Sequence, residues 1–68
     1  MESIKNLFER AIILWNKGEF LTTQMDNERV SLYRYNGKLY VIWYTHENLL
    51  DKIELVDELT ARNMFKDF

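Results

Sequence analysis

The sequence predicts a small α+β domain: a three- to four-stranded antiparallel meander with an N-terminal and a C-terminal helix packed mainly on one face, in the order α-β-β-β-(β)-α. Three observations carry this. Apolar residues recur at helical spacing up to Trp15 and again after Asp57, the period changes to two between Phe20 and Thr45, and Asn36-Gly37 sits inside the alternating stretch. At 68 residues, 47% hydrophobic and 15% aromatic, the chain forms a single domain over residues 1–68, with enough apolar material to fold.

The first helix is expected over about residues 3–17. Ile4, Leu7, Phe8, Ala11, Leu14 and Trp15 fall on one stripe at 100° per residue. Ser3 suits the N-cap, Gly18 the C′ position, and Lys17 the negative end of the helix dipole. Ile13 lies opposite the stripe, among Asn6, Glu9 and Asn16, as an ordinary exposed isoleucine or as a contact with a second chain.

Tyr35-Asn36-Gly37-Lys38 predicts a two-residue type I′ hairpin, because both central positions of that turn need positive φ. The register then runs Tyr35 opposite Lys38, Tyr33 opposite Tyr40, Leu32 opposite Val41 and Val30 opposite Trp43. That pairing separates two faces. Val30, Leu32, Leu39, Val41 and Trp43 form an aliphatic floor, with Arg34 near the turn; Arg29, Ser31, Tyr33, Tyr35, Lys38, Tyr40, Ile42 and Tyr44 form the other side. A preceding strand, turned at Asp26 and Asn27, sets Thr23 opposite Val30 and Leu21 opposite Leu32. Leu21, Thr23 and Met25 then join the aliphatic face, and Phe20 sits beside Tyr33 on the other.

After a connection at residues 46–51, Lys52-Ile53-Glu54-Leu55-Val56 alternates as a short edge strand with Ile53 and Leu55 inward. Asp57 is the expected N-cap of the second helix, with Val56 and Ala61 as staple partners. Ala61, Met64, Phe65 and Phe68 share its apolar face. Both helices are expected over the aliphatic floor, with Trp15, Leu7, Phe65 and Met64 against it.

This packing leaves the other face open, and its aromatic surface is the expected partner-binding site: Phe20, Arg29, Tyr33, Tyr35, Lys38, Tyr40, Ile42 and Tyr44. Tyrosine offers a large apolar body, a polar tip and few rotors to freeze. The expected function is non-enzymatic protein–protein interaction, by a homodimer or by a small accessory or inhibitor protein that binds a larger partner. Single-stranded nucleic acid stacked on the same rings is the alternative, since residues 29–45 carry three cations and no acid. Against it stands the net charge of −2. In a third arrangement the second helix, or residues 46–56, folds over this face and the tyrosines become a second small core.

Other chemistries find little support. With no cysteine, disulfide frameworks, thiolate metal sites and cysteine nucleophiles are excluded. His46, the single histidine, stands in a connection beside Glu47 and is read as solvated. Ser3 and Ser31 are read as a cap and a strand residue, and Gly18 and Gly37 as a cap and a turn, which leaves no nucleophile set and no phosphate-cradling loop. Residues 47–58 hold five acids against Lys52, without the spacing or glycine of an EF-hand loop; they read as a solvated or partner-facing patch. Catalytic residues, cofactor, metal, small-molecule substrate and membrane contact are therefore all expected to be absent, and the location cytoplasmic. In size and residue usage the sequence resembles the short accessory proteins of bacteria and their phages, which act by binding a larger protein.

Overall fold

A computed structural model describes residues 4–25 and 27–68. The element order is α1 (Ile4–Lys17), β1 (Glu19–Met25), β2 (Arg29–Tyr35), β3 (Lys38–Tyr44), β4 (Leu50–Val56) and α2 (Glu58–Met64). The strands form one antiparallel sheet in the order β1-β2-β3-β4, the expected meander with its fourth strand in place. Ser3 and Asp26, expected as a cap and a turn residue, lie outside the described residues.

The central hairpin has the expected register, from Tyr35 opposite Lys38 to Val30 opposite Trp43. Asn36 and Gly37 take φ of 53° and 75°, the left-handed values of a type I′ turn. The β3–β4 connection closes on Thr45, whose N–H donates to the Leu49 carbonyl at 2.8 Å and whose hydroxyl accepts from the Glu47 and Leu49 N–H groups. Asn48 supplies the left-handed residue there, at φ 64°. At α2, the Asp57 carboxylate accepts from the Thr60 N–H at 2.7 Å, as an N-cap does. Gly18 is needed for space rather than for a left-handed φ. Its N–H donates to the Leu14 carbonyl at 2.9 Å, and a Cβ would lie 2.6 Å from that oxygen.

Three details differ from expectation: the register of β1, the burial of Leu55, and the start of β4, which runs from Leu50 rather than Lys52 with its register shifted between Trp43 and Tyr44. A bulge between Phe20 and Thr22 sets Thr22 opposite Leu32, Thr23 opposite Ser31 and Gln24 opposite Val30. Thr23 and Met25 therefore share the face of Phe20 and Tyr33, while Leu21 packs on the aliphatic side as expected. Thr23 gains from the shift: its hydroxyl donates to the Val30 carbonyl at 3.0 Å and lies 3.1 Å from the Ser31 hydroxyl. In β4, Ile53 packs in the core under α1, but Leu55, on the same face opposite Tyr40, lies outside that core and is exposed.

The larger correction concerns the helices, which lie on opposite faces of the sheet. Ala61 and Phe65 of the α2 region close over Val30, Leu32, Leu39 and Val41, with Met64 and Phe68 beside them. Ala11 and Leu14 of α1 instead pack on Ile42, Tyr44 and Ile53, with Leu7, Tyr33, Tyr35 and Tyr40 around them. The physical reason is that both sheet faces are apolar. Ile42, Ile53 and the tyrosine rings would stay wet if both helices shared the aliphatic floor, so each face takes one helix and the domain becomes three layers.

Candidate protein-binding surface

α1 runs over β1, β2 and β4, so the aromatic face is largely roofed. Ile42 and Tyr44, two of the residues expected to bind a partner, are buried under it. Tyr33, Tyr35, Tyr40 and Arg29 are partly buried, while Phe20 and Lys38 remain exposed. The eight residues do share one side of the sheet, but they form no open surface. Most of them make the second small core, with α1 rather than α2 as its cover.

Tyr44 organises that core. The Trp15 indole lies nearly parallel to its ring and donates to its hydroxyl, Phe8 meets Trp15 edge to face at 6.2 Å, and the Arg29 guanidinium lies 4.4 Å from the Tyr44 ring centroid. Phe20 closes edge-on against Tyr33 at 5.6 Å. Burial raises the Tyr33 hydroxyl above its ordinary value, and neighbouring Tyr44 adds to this against the opposing pull of Arg29. On the far flank of α1, Arg10, Ile13 and Leu14 line a cleft of about 120 Å³ with Tyr35 and Tyr40. Ile13, opposite the helical stripe, thus forms a rim of that cleft.

A cluster of exposed apolar side chains lies on α1 rather than across the tyrosine face. Ile4 is 85% exposed, Phe8 51%, Trp15 38% and Ile12 37%, whereas Ala11 and Leu14 are buried. At 100° per residue these four exposed side chains lie within a sector of about 80°, adjoining the sector that faces the sheet. Ile4, Phe8 and Trp15 were legible as apolar stripe residues, and only their burial was misjudged. Ile12 was missed, although its place beside Phe8 already made the apolar sector wider than one contact needs.

The charged residues do not converge. Arg29 and Lys38 stand at opposite ends of the α1 side, across from Tyr44 and Tyr35, and Arg34 lies near Glu19 at 3.9 Å on the other side. In the acidic segment, Glu54 pairs with Lys52 at 3.1 Å, Glu58 with Arg62 at 3.2 Å, and Asp57 caps α2. Among the described residues no group of three or more His, Asp or Glu side chains is placed to hold a metal ion, and no helix is long and apolar enough to cross a membrane. Comparison with protein-family models, curated proteins and solved structures finds no match to this chain.

Proposed function

We propose that this chain is a non-catalytic, cytoplasmic binding module that works by inserting the apolar flank of α1 into a groove on a larger protein. The observation that carries the reading is the row Ile4, Phe8, Ile12 and Trp15, four large apolar side chains left exposed on a helix whose other apolar sector already packs on the sheet. Spacing of i, i+4, i+8 and i+11 is the anchor pattern of an amphipathic helix seated in an apolar groove. A convex ridge of this kind calls for a concave partner. The cleft beside α1 is small, the one at the central hairpin is rimmed by Arg34, Lys38 and Glu58, and the one over Val30 and Trp43 is edged by Gln24, Asn27 and Glu28, so a different protein suits the ridge better than a second copy does. The two cores leave the fold able to do this, because α1 stays anchored through Ala11 and Leu14 while Ile4, Phe8 and Ile12 are free to bind; Trp15, held by Tyr44 and 38% exposed, belongs to both sectors.

Nucleic-acid binding fits less well. Base stacking needs open ring faces, and Tyr44 is buried with the Arg29 guanidinium over its ring, while Phe20 already packs on Tyr33.

A photo-crosslinking amino acid placed at Phe8 tests the proposal in cells. A discrete adduct from Phe8, absent when the same group replaces the more exposed Leu59 of α2, is the expected result. Identical adducts from both positions, or none from Phe8, would overturn it.

A further inference from the structure

We propose that two copies of this chain join edge to edge along β1, each contributing its four strands to one continuous antiparallel sheet. Among the described residues β1 is an edge strand, hydrogen-bonded to β2 and to no strand on its outer side. Natural sheets protect such edges with charge, and β4, the opposite edge, carries Asp51, Lys52 and Glu54. β1 reads Phe20-Leu21-Thr22-Thr23-Gln24-Met25 after Glu19, without a charge in the run.

The strand also matches itself under a two-fold axis. Because of the bulge at Leu21, Phe20, Thr22, Thr23, Gln24 and Met25 occupy five successive ladder positions against β2, with Thr23 in the middle. An axis through Thr23, perpendicular to the sheet, sets Phe20 opposite Met25 of the second copy, Thr22 opposite its Gln24, and Thr23 opposite Thr23. Phe20 and Met25 lie on the same face and are 54% and 74% exposed, so the pairing buries both in a ring–thioether contact at each end. Without the bulge, residues five apart would point to opposite faces and the match would be lost. The axis also brings both α1 helices to one side of the joined sheet. The dimer would then present two apolar flanks in the same direction, although its formation does not depend on what those flanks bind.

The test is sedimentation from micromolar to millimolar concentration, with Thr23→Lys and Thr23→Glu as variants. Thr23 is exposed, so native circular dichroism is expected of both. The wild type should reach twice 8.3 kDa. Each variant, with like charges facing across the axis, should dissociate with a constant raised roughly tenfold or more. An equimolar mixture of the two variants should recover the dimer, because Lys then faces Glu. A wild type that stays monomeric at millimolar concentration, or variants that dimerise as well as the wild type, would overturn the β1 edge. Association that persists in both variants but is lost with Phe8→Glu would assign the contact to α1 instead.

Discussion

The Trp15 indole N–H donates to the Tyr44 hydroxyl at 2.8 Å, between rings that lie 10° from parallel with centroids 6.5 Å apart. This pair holds α1 to β3 across 29 residues of sequence and helps to explain why the helix lies on the hydroxyl-bearing face. Val30, Leu32, Leu39 and Val41 of the aliphatic floor offer Trp15 no side-chain acceptor. Replacing Trp15 by Phe, or Tyr44 by Phe, should each cost about 1 kcal/mol, read as a fall in Tm of about 4–8 °C. In a double-mutant cycle the two losses should be less than additive by a similar amount. Strict additivity would show that the bond contributes nothing.

Tyr33 and Tyr40 face each other across the central hairpin and pack around the α1 core. The double substitution Tyr33→Ser with Tyr40→Ser should therefore act as a core change, lowering stability on the order of 2–4 kcal/mol in urea titration. Unchanged stability would mean that α1 does not cover this face in solution.

The two glycines should fail for different reasons. Gly37→Ala meets no neighbour but must hold φ 75°, at about 1 kcal/mol, and Gly37→Asn should recover most of the loss. Gly18→Ala drives a methyl against the Leu14 carbonyl and should cost about 1–3 kcal/mol, with no recovery by Asn. Urea midpoints for the four variants separate the two cases.

Two groups give stability a pH dependence of opposite sign. The Thr60 backbone N–H and side chain hold the Asp57 carboxyl below its ordinary 3.8. Its folded pKa is thus lower than its unfolded one, so its contribution is present above the ordinary value and is lost as pH falls through the lowered one. Asp57→Asn keeps an acceptor at the cap and should flatten that acid limb. Tyr33 is raised from 10.0, mainly by burial, so its contribution is complete below pH 10 and is lost as the pH climbs through the raised value. Tyr33→Phe should lessen the alkaline loss, as seen in thermal melts across the range.

The sequence made the elements legible wherever local chemistry decides them. Asn36-Gly37 fixed the central register residue by residue, and the Asp57 cap placed the start of α2. Leu21 showed where local reasoning fails, since a bulge changes every later pairing in β1 and no residue type announces it. The expected open face is covered for a related reason. Periodicity says which residues share a face but not which face a helix will cover, and with Val30, Leu32 and Val41 on one side and Ile42, Ile53 and Tyr44 on the other, both sides were apolar enough to need a cover. The helix flank followed from that choice. Once α1 had docked through Ala11 and Leu14, Ile4, Phe8 and Ile12 were left on its outer side.

The most direct test of the account is comparative capture from lysate by the wild type and by a variant carrying Phe8→Glu and Ile12→Glu, at low and at high salt, with both proteins first shown to melt alike. An apolar groove contact predicts that the wild type retains a defined protein at high salt and that the variant loses it at both. The same protein held equally by the variant, and released from both by salt alone, would contradict the account and move the contact to the acidic surface of residues 47–58.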